Sequence, residues 1–251
     1  MKSHSPQDRA IYLYAVTPAA TSRRVLSAAG VDGLAPVEAV PTDSFMCWIS
    51  VVDGAEYGDR LEKNMEDLEW LAATSVRHQQ VVSEISALGD VLPARFGTVF
   101  LSVDSLLQHV QQNHELLTTA LRRISGCDEW GVKVFAEPQR AKKAAVSAAS
   151  GADYLKQKAS LHRTRTQPRE DAEITALVSE LREVSNDTAP SGKVSSGQPG
   201  LQWQGAFLVP RKNRQKLQRI LERFAAKWSS EKRIDCSGPW PPYSFVSMNG
   251  R

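Results

Sequence analysis

The decamer Val91–Phe100, VLPARFGTVF, is the feature that most constrains how this chain can fold. It concentrates apolar and β-forming residues, follows a Gly-Asp turn and precedes a helical pattern that opens at Ser102. Pro93 has no backbone donor, which is typical of an edge strand or of the start of a strand. Arg95 interrupts the apolar run, and Gly97 indicates a bulge or a close backbone approach. The decamer is therefore predicted to be the last strand of an N-terminal α+β unit.

The elements around the decamer follow from hydrophobic periodicity. The pattern predicts strands at 11–16, 36–40 and 45–52, a short helix at 21–29 and a long amphipathic helix at 59–88. Together with the decamer they give the order β-α-β-β-α-β, the split pattern of a ferredoxin-like unit. Apolar residues at helical spacing predict an added helix at 102–124, with His114 on its apolar face.

The same order of elements returns in the second half of the chain. Strands are predicted at 130–136, at 202–209 and, around the segment GPWPP, at 234–236 and 243–246. Helices are predicted at 138–161, around 174–184 and after Pro210. Residues 186–200 are rich in Ser, Gly and Pro and are expected to form a flexible loop, which leaves the second strand of this half uncertain. The fold class is therefore α+β, with two tandem domains: an N-terminal unit at 1–128 and a ferredoxin-like domain at 129–251.

The charge distribution supports a boundary near Gly126. Residues 1–128 hold 10 Lys and Arg against 16 Asp and Glu, a net charge of −6. The remaining 21 basic and 12 acidic residues give residues 129–251 a net charge of +9. A charge asymmetry of this kind informs partners and orientation, and it carries no information on fold.

Composition also limits the cellular setting. No apolar run approaches the roughly 20 residues that span a bilayer, and residues 1–10 lack the hydrophobic core of a signal peptide. Cys47, Cys127 and Cys236 are widely spaced and form no CxxC pair, so three reduced thiols are expected. The chain is expected to be cytoplasmic, without a cofactor, a metal or a membrane partner.

Catalytic motifs are missing from the sequence, which contains no GxSxG, GxGxxG or HExxH. His109 and His114 are five residues apart and do not share one helical face squarely, so a metal pair is not predicted. His78 points towards the core of its helix, where hydrogen bonding to a structural partner is the favoured interpretation. A catalytic pair of His78 with Arg95 is the enzyme alternative, although no nucleophile or carboxylate is tied to them by spacing.

Two charged stripes follow from helical spacing. The acidic stripe consists of Asp59, Glu62, Glu66 and Glu69, and the basic stripe of Lys212, Lys216, Arg219, Arg223 and Lys227. Either stripe can be a solvated face or a docking surface, for the other stripe or for a partner. The basic stripe in a ferredoxin-like domain raises an RNA-binding module as the alternative function. The best match to the RNA-binding strand motif is 204–209, QGAFLV, which has one aromatic residue and no basic lead.

Several segments together resemble the gas vesicle protein F/L family over residues 11–246. They are IYLYAV at 11–16, His78, the decamer, EWGVKV at 129–134, GADYLKQK at 151–158, GAFLV at 205–209 and GPWPPYSFV at 238–246. The resemblance implies a non-enzymatic minor structural or assembly protein of gas vesicles, the protein-walled, gas-filled buoyancy compartments of certain prokaryotes. Its expected partners are the hydrophobic major shell protein and other gas vesicle accessory proteins. Nucleic acid is not favoured as a partner.

The decamer and the C-terminal segment are the expected contact regions. An edge strand at 91–100 could accept a strand of the shell protein, and GPWPPY at 238–243 could seal an apolar surface. Alternatively, this C-terminal segment packs across its own domain or the domain interface, with Trp130 and Trp240 as anchors. The candidate interaction residues are Arg95, Phe96, Trp240, Tyr243 and the five residues of the basic stripe.

Overall fold

The computed structural model describes residues 9–137, 171–189, 198–228 and 231–246. Contacts divide the chain into two compact units. The first runs up to Glu129 and also takes in the segment from Gly238 onward, and the second is Trp130–Ser237. The sequence-based division kept residues 238–251 with the second domain, whereas the contacts of the segment lie in the first unit. Among the described residues, no helix combines the length and the apolar character needed to cross a membrane.

The first unit is a sheet with helices. Its strands are β1 (Arg9–Pro18), β2 (Glu38–Pro41), β3 (Phe45–Asp53), β4 (Leu92–Pro93) and β5 (Val99–Phe100), in the order β2-β3-β1-β4, with β5 also paired to β1. Its helices are α1 (Leu61–Asn64), α2 (Leu68–Ser86), α3 (Val103–Gln112) and α4 (His114–Ile124), and a π-helical turn covers Ala55–Asp59. Strand β1 pairs with β3, β4 and β5, and β3 also pairs with β2; all four pairings are antiparallel.

Strand β1 is the centre of this sheet because its residues from Ala10 to Thr17 are all buried. It pairs with β3 along its whole length, with a register shift between Leu13 and Ala15. Strands β2 and β3 form a hairpin: the Thr42 backbone N–H donates to the Phe45 carbonyl at 2.8 Å, and the Phe45 N–H donates to Thr42 Oγ1 at 3.0 Å. The strand prediction for 11–16 therefore located the core of the unit.

The predicted short helix at 21–29 is wrong. This stretch is irregular, and the Ser27 N–H and Oγ donate to the two carboxylate oxygens of Glu84 on α2 at 2.8 and 2.6 Å. A short helix is marginal in water, and Ser readily bonds outside helices. The tertiary hydrogen bonds to Glu84 therefore decided the conformation.

Both long helices predicted for this unit are interrupted. The first breaks after Asn64 and restarts at α2, where the Asp67 carboxylate accepts from the Glu69 and Trp70 N–H groups at 2.9 and 3.2 Å. The acidic stripe therefore does not run along one continuous helix face. The second breaks at Asn113, whose side-chain amide donates to the His109 carbonyl at 2.8 Å. Local capping by Asp and Asn ends helices that apolar periodicity alone would continue.

The second sheet is built from strands β6 to β9 in the order β7-β8-β6-β9. These strands are β6 (Cys127–Ala136), β7 (Asp187–Ala189), β8 (Leu201–Pro210) and β9 (Lys232–Trp240), with the helices α5 (Ala172–Glu183) and α6 (Arg214–Trp228) and 3-10 turns at Arg211–Asn213 and Tyr243–Phe245. When the strands of each sheet are numbered in chain order, the second strand lies beside the third, the third beside the first and the first beside the fourth in both sheets. The predicted α+β fold with a ferredoxin-like C-terminal unit is confirmed.

Three details of the second half differ from expectation. The loop predicted at 186–200 begins with β7, which supplies the second strand that the sequence left uncertain. Strand β9 continues to Trp240 through a cis Gly238-Pro239 bond, and the predicted strand at 243–246 is a 3-10 turn. The helix predicted at 138–161 lies outside the described residues.

Candidate interaction site

The decamer lies along β1 as two short strands separated by an excursion. Leu92 and Pro93 pair with Val16 and Ala15, and Val99 and Phe100 pair with Tyr12 and Ile11. Between them the Ala94 N–H donates to the Tyr14 carbonyl at 2.8 Å, and the Leu13 N–H donates to the Thr98 carbonyl at 2.9 Å. Residues 95–97 therefore leave the sheet and form a short loop at its edge.

Gly97 makes this excursion possible. Its φ is +79°, a conformation that side-chain-bearing residues rarely adopt. A Cβ added there would meet Leu61 Cδ2 at 3.5 Å and Met65 Sδ at 3.8 Å, which are ordinary contacts. The backbone conformation, and not a lack of space, is therefore the reason for glycine. The predicted bulge at Gly97 is thus present as an irregular loop.

A chain of hydrogen bonds supports the loop from below. The Gly97 N–H donates to Tyr12 Oη at 3.0 Å, and Tyr12 Oη lies 3.0 Å from His78 Nδ1. Tyr12 Oη thus joins the backbone of the loop to the buried imidazole. His78 is 3% exposed, so the structural hydrogen bond expected for it is present.

Phe96 closes the top of this cluster with its ring. Its ring centroid lies 6.5 Å from Tyr12, 6.3 Å from Trp70 and 5.8 Å from His78, in edge-to-face arrangements. Such contacts hold an aromatic side chain in one position. Arg95, next to it, is exposed. The loop therefore presents a fixed, half-buried aromatic ring beside an exposed cation.

The C-terminal segment packs onto the same cluster. The Tyr243 ring centroid lies 6.3 Å from that of His78, and Pro241, Pro242, Phe245 and Val246 are buried. The Ser244 N–H and Oγ donate to the two carboxylate oxygens of Glu129 at 2.8 and 2.7 Å. Two separate anchors, one aromatic and one polar, thus fix residues 241–246 to the first unit.

The protonation equilibria of the cluster follow from burial. Burial lowers the pKa of His78 to about 4, and the nearby Ala94 backbone offsets only part of that effect. Burial raises the pKa of Tyr12, and burial together with the Glu129 charge raises the pKa of Tyr243. Burial also raises the pKa of Glu129 against the opposing hydrogen bonds from Ser244. His78 is therefore neutral near pH 7, and it acts as a packing and hydrogen-bonding group.

The structure does not join His78 and Arg95 into the pair of the enzyme alternative. His78 is buried with its Nδ1 bonded to Tyr12, whereas Arg95 is exposed. His78 Nε2 and Tyr243 Oη are buried and have no hydrogen-bond partner among the described residues. The described residues around His78 therefore support the loop and do not place Arg95 against the imidazole.

The basic stripe divides into two halves. Arg223 is ion-paired with Glu180 on α5, and Lys227 Nζ lies 3.1 Å from Glu173 Oε1 on the same helix. Lys212, Lys216 and Arg219 are exposed and have no ion pair among the described residues. Two of the five predicted docking cations thus hold α6 to α5, and three face solvent.

The RNA-binding alternative loses its aromatic platform. Phe207, the aromatic residue of the matched segment, is 1% exposed and belongs to the apolar core of the second unit. A Cβ at Gly205 would lie 2.6 Å from the Trp203 ring, so that indole folds back over the strand on the same side. The residues that alternate with them on β8, Gln202 and Gln204, are polar. Stacking of bases on β8 therefore has no aromatic support.

The remaining predicted residues have mixed placements. Trp130 is 6% exposed, lies in the second core and carries the Arg214 guanidinium 5.4 Å from its ring centroid. Trp240 is 43% exposed and therefore does not belong to a core. His114 is half-buried, with Nε2 3.0 Å from Ser44 Oγ and its ring beside Phe45. Cys47, Cys127 and Cys236 carry thiols and form no disulfide.

Sequence reasoning missed several members of the site. Tyr12 and Tyr14 alternate within a strand that is otherwise apolar, and a buried tyrosine hydroxyl needs a partner. That alternation could have indicated a polar cluster on one side of β1. Glu129 and Ser244 gave no such signal, because 115 residues separate them and neither lies in a periodic pattern.

Comparison with known proteins gives concordant results. The family model described as "Gas vesicle synthesis protein GvpL/GvpF" matches residues 10–247. The gas vesicle protein L of Streptomyces sp. (strain CB03234) is 31% identical, over 96% of this chain and 94% of that protein. The gas vesicle protein L2 of Halobacterium salinarum is 30% identical, over 72% of this chain and 73% of that protein. The crystal structure of the gas vesicle protein GvpF from Anabaena sp. PCC7120 superposes with a TM-score of 0.71 at 18% identity, covering 96% of this chain and 99% of that one.

Proposed function

Because this chain belongs to the gas vesicle synthesis protein GvpL/GvpF family, we propose that it is a non-enzymatic assembly or minor structural protein of gas vesicles. In this role it contacts the hydrophobic major shell protein and assists vesicle formation in the cytoplasm. Other gas vesicle accessory proteins are the second class of proposed partner. The two relatives of 30% identity or more described above are both L proteins, which supports an L-type role.

One observation carries the proposal: segments distant in sequence converge beneath a single exposed loop. Tyr12, His78 and Tyr243 come from three different parts of the chain and meet under Phe96. Each lies in one of the segments that carry the resemblance to the family. The chain therefore fixes the position of the loop at 95–97 with long-range contacts, which favours a binding surface on this loop.

The geometry also indicates how this loop would bind. Strand addition needs a continuous row of free backbone groups, but the edge here is interrupted at 95–97 and Pro93 has no N–H. We therefore propose side-chain docking, with Phe96 against an apolar surface and Arg95 beside it. An amphipathic shell subunit needs its apolar surface shielded before incorporation, and a fixed aromatic ring suits that task. Trp240, with 43% of its surface exposed, is a proposed second contact.

A binding titration tests the proposal. The purified full chain is titrated at about 0.15 M salt with the major shell protein in one arm and a mixed-sequence RNA in the other. We expect saturable binding to the shell protein and none to RNA. Phe96→Ala should weaken the shell-protein affinity by about tenfold or more, as for a central aromatic contact. Arg60→Ala, another exposed position, serves as the matched control.

Two results would contradict the proposal. The first is the absence of shell-protein binding by a chain whose folding is verified by circular dichroism. The second is RNA binding that weakens steeply with salt, which would make the nucleic-acid module the working function. If Phe96→Ala and Arg60→Ala bind the shell protein equally well, the assembly role stands but the loop is not its contact.

A further inference from the structure

Three cations of the basic stripe face solvent and contribute little to the stability of α6. They are Lys212, Lys216 and Arg219. Lys212 belongs to the turn before α6, and Lys216 and Arg219 lie in the N-terminal half of α6. The first turn of α6 contains no acidic residue. A helix N-terminus carries a partial positive charge, so cations there are repelled and anions are favoured. Lys212 and Lys216 thus lie where the helix dipole disfavours cations, and none of the three cations has an ion pair among the described residues.

The C-terminal half of the same stripe behaves differently. Lys227 lies in the last turn of α6, where the helix dipole favours cations, and both Arg223 and Lys227 form ion pairs with α5. One helix thus carries cations that stabilise the unit and cations that do not. Local rules broken without a gain in stability are typical of functional surfaces. An acidic partner would supply the missing compensation.

The first unit carries a surface of complementary chemistry. Glu62, Glu66 and Glu69 are exposed and have no ion pair among the described residues. Between them Met65 is 40% exposed and Leu68 is 79% exposed. Exposed apolar side chains ringed by charge are a feature of protein-binding surfaces. The aliphatic stems of Lys and Arg can cover such side chains while their charged ends meet the carboxylates.

We propose that the chain associates with a second copy of itself, Lys212, Lys216 and Arg219 of one copy binding Glu62, Glu66 and Glu69 of the next. The choice of a second copy rests on charge complementarity, since residues 1–128 carry a net −6 and residues 129–251 a net +9. The contact joins two different surfaces, so a bound pair still offers one free acidic surface on one copy and one free basic surface on the other. Association of this type grows into short chains or closes into a ring.

Sedimentation velocity of the full chain at several concentrations tests self-association. Between about 0.05 and 0.5 M NaCl the Debye length shrinks from roughly 14 to 4 Å, so we expect the apparent Kd to weaken at least about tenfold. The weight-average sedimentation coefficient should rise with protein concentration at low salt and approach the monomer value at high salt.

Charge-swapped variants identify the surfaces. One variant carries Lys212→Glu, Lys216→Glu and Arg219→Glu, and the other carries Glu62→Lys, Glu66→Lys and Glu69→Lys. Each alone should remain monomeric at low salt, because it presents two surfaces of like charge. An equimolar mixture should associate, since each variant then meets its complement. The control, Arg23→Glu with Arg24→Glu and Arg182→Glu, changes the net charge equally at exposed positions outside the basic stripe and should associate as the parent does.

Several outcomes would overturn the inference. They are a monomer at every salt concentration, association that salt does not weaken, and a control variant that dissociates like the stripe variants. Failure of the mixed variants to associate would also overturn it, provided that circular dichroism shows both to be folded. RNA binding is also measured for the parent and for the variant with Lys212→Glu, Lys216→Glu and Arg219→Glu. If the parent does not self-associate but binds RNA, and this variant loses the RNA binding, the basic stripe is a nucleic-acid surface and the inference is overturned. None of these results bears on shell-protein binding, which is measured separately.

Discussion

The first unit buries polar groups in its core, whereas the described core of the second unit is apolar. Among the described residues, the buried polar ones are Thr17, Ser50, Thr74, His78 and Glu129, and all of them lie in the first unit. In the second unit, ion pairs link α6 and β9 to α5, including Lys232 Nζ at 2.9 Å from Asp171 Oδ2. The two sheets share one strand order, so the units differ in the side-chain interactions that stabilise them and not in topology.

The two kinds of core differ in how strictly they fix the positions of their side chains. An apolar core tolerates substitutions that conserve volume, because packing is its only demand. A buried hydrogen-bonded cluster fixes side chains in one arrangement and is costly when any member is lost. The first unit therefore has the more exact geometry, and it also carries the loop at 95–97. We read the polar core as the device that positions this loop.

The largest effect is expected from truncating the apolar core of the second unit. Phe224 is 6% exposed and stacks on Trp228 with ring centroids 5.3 Å apart. Phe224→Ala should destabilise the unit by about 4 kcal/mol through lost burial and a cavity. Hydrogen exchange, read separately for peptides of each unit, should show faster exchange in α5, α6 and β8. Gln218→Ala, at an exposed position of the same helix, should leave exchange unchanged. Equal acceleration in β1 would show that the two units do not unfold separately.

The next largest effect belongs to the polar cluster. Tyr12→Phe leaves the Gly97 N–H and His78 Nδ1 without their shared partner, which should cost about 3 kcal/mol. Exchange should accelerate in peptides covering β1 and the decamer. Tyr243→Phe is the matched control, since Tyr243 Oη has no partner among the described residues and its removal should cost little. If the two variants behave alike, the hydrogen-bond chain does not hold the loop.

The pH dependence of the first unit sharpens the comparison further. His78 has a pKa of about 4 in the folded chain, below its ordinary value of 6.5. The unfolded chain therefore binds a proton first as the pH falls, and its protonation favours unfolding. The contribution of neutral His78 to the free energy of unfolding is complete above pH 6.5 and decreases as the pH falls towards 4. At pH 5 the free energy of unfolding should be lower by about 2 kcal/mol.

Amide hydrogen exchange, measured from pH 7.5 to 5 and corrected for intrinsic rates, tests this pH dependence of stability. The first unit should lose protection as pH falls, and His78→Gln should remove most of that pH dependence. His109→Gln, a histidine change on α3 away from the cluster, is the control. A parent and a His78→Gln variant with the same pH dependence would refute a buried, neutral imidazole.

The smallest effect is expected at the surface ion pairs of the second unit. The Arg223 and Glu180 side chains are 61% and 36% exposed, so water and salt screen their attraction. Arg223→Met keeps the aliphatic stem beside Phe224 and should cost no more than about 0.5 kcal/mol. Denaturant melts at low and high salt would show it. A loss as large as that of Tyr12→Phe would mean that charge, and not apolar packing, holds this unit.

The residues that were predicted well are those whose environment repeats along the chain. Strands β1, β3, β6 and β8 and helices α5 and α6 follow from apolar periodicity, which is a local property. The breaks at Asn64 and Asn113 were missed because capping by the Asp67 and Asn113 side chains competes with apolar periodicity. The irregular course of residues 21–29 was missed because its partner, Glu84, lies on another element.

The sequence by itself determined the α+β class, the repeated order of elements, the opposite charges of the two halves and the family resemblance. Only the tertiary structure decided that Tyr12 meets His78, that Ser244 returns to Glu129, and that two cations of the basic stripe are ion-paired while three face solvent. The reason is physical. Periodicity and composition act over a few residues and can be read along the chain. The partner of a buried polar group is fixed only when distant elements pack, because the cost of leaving it unpaired arises after water has been excluded.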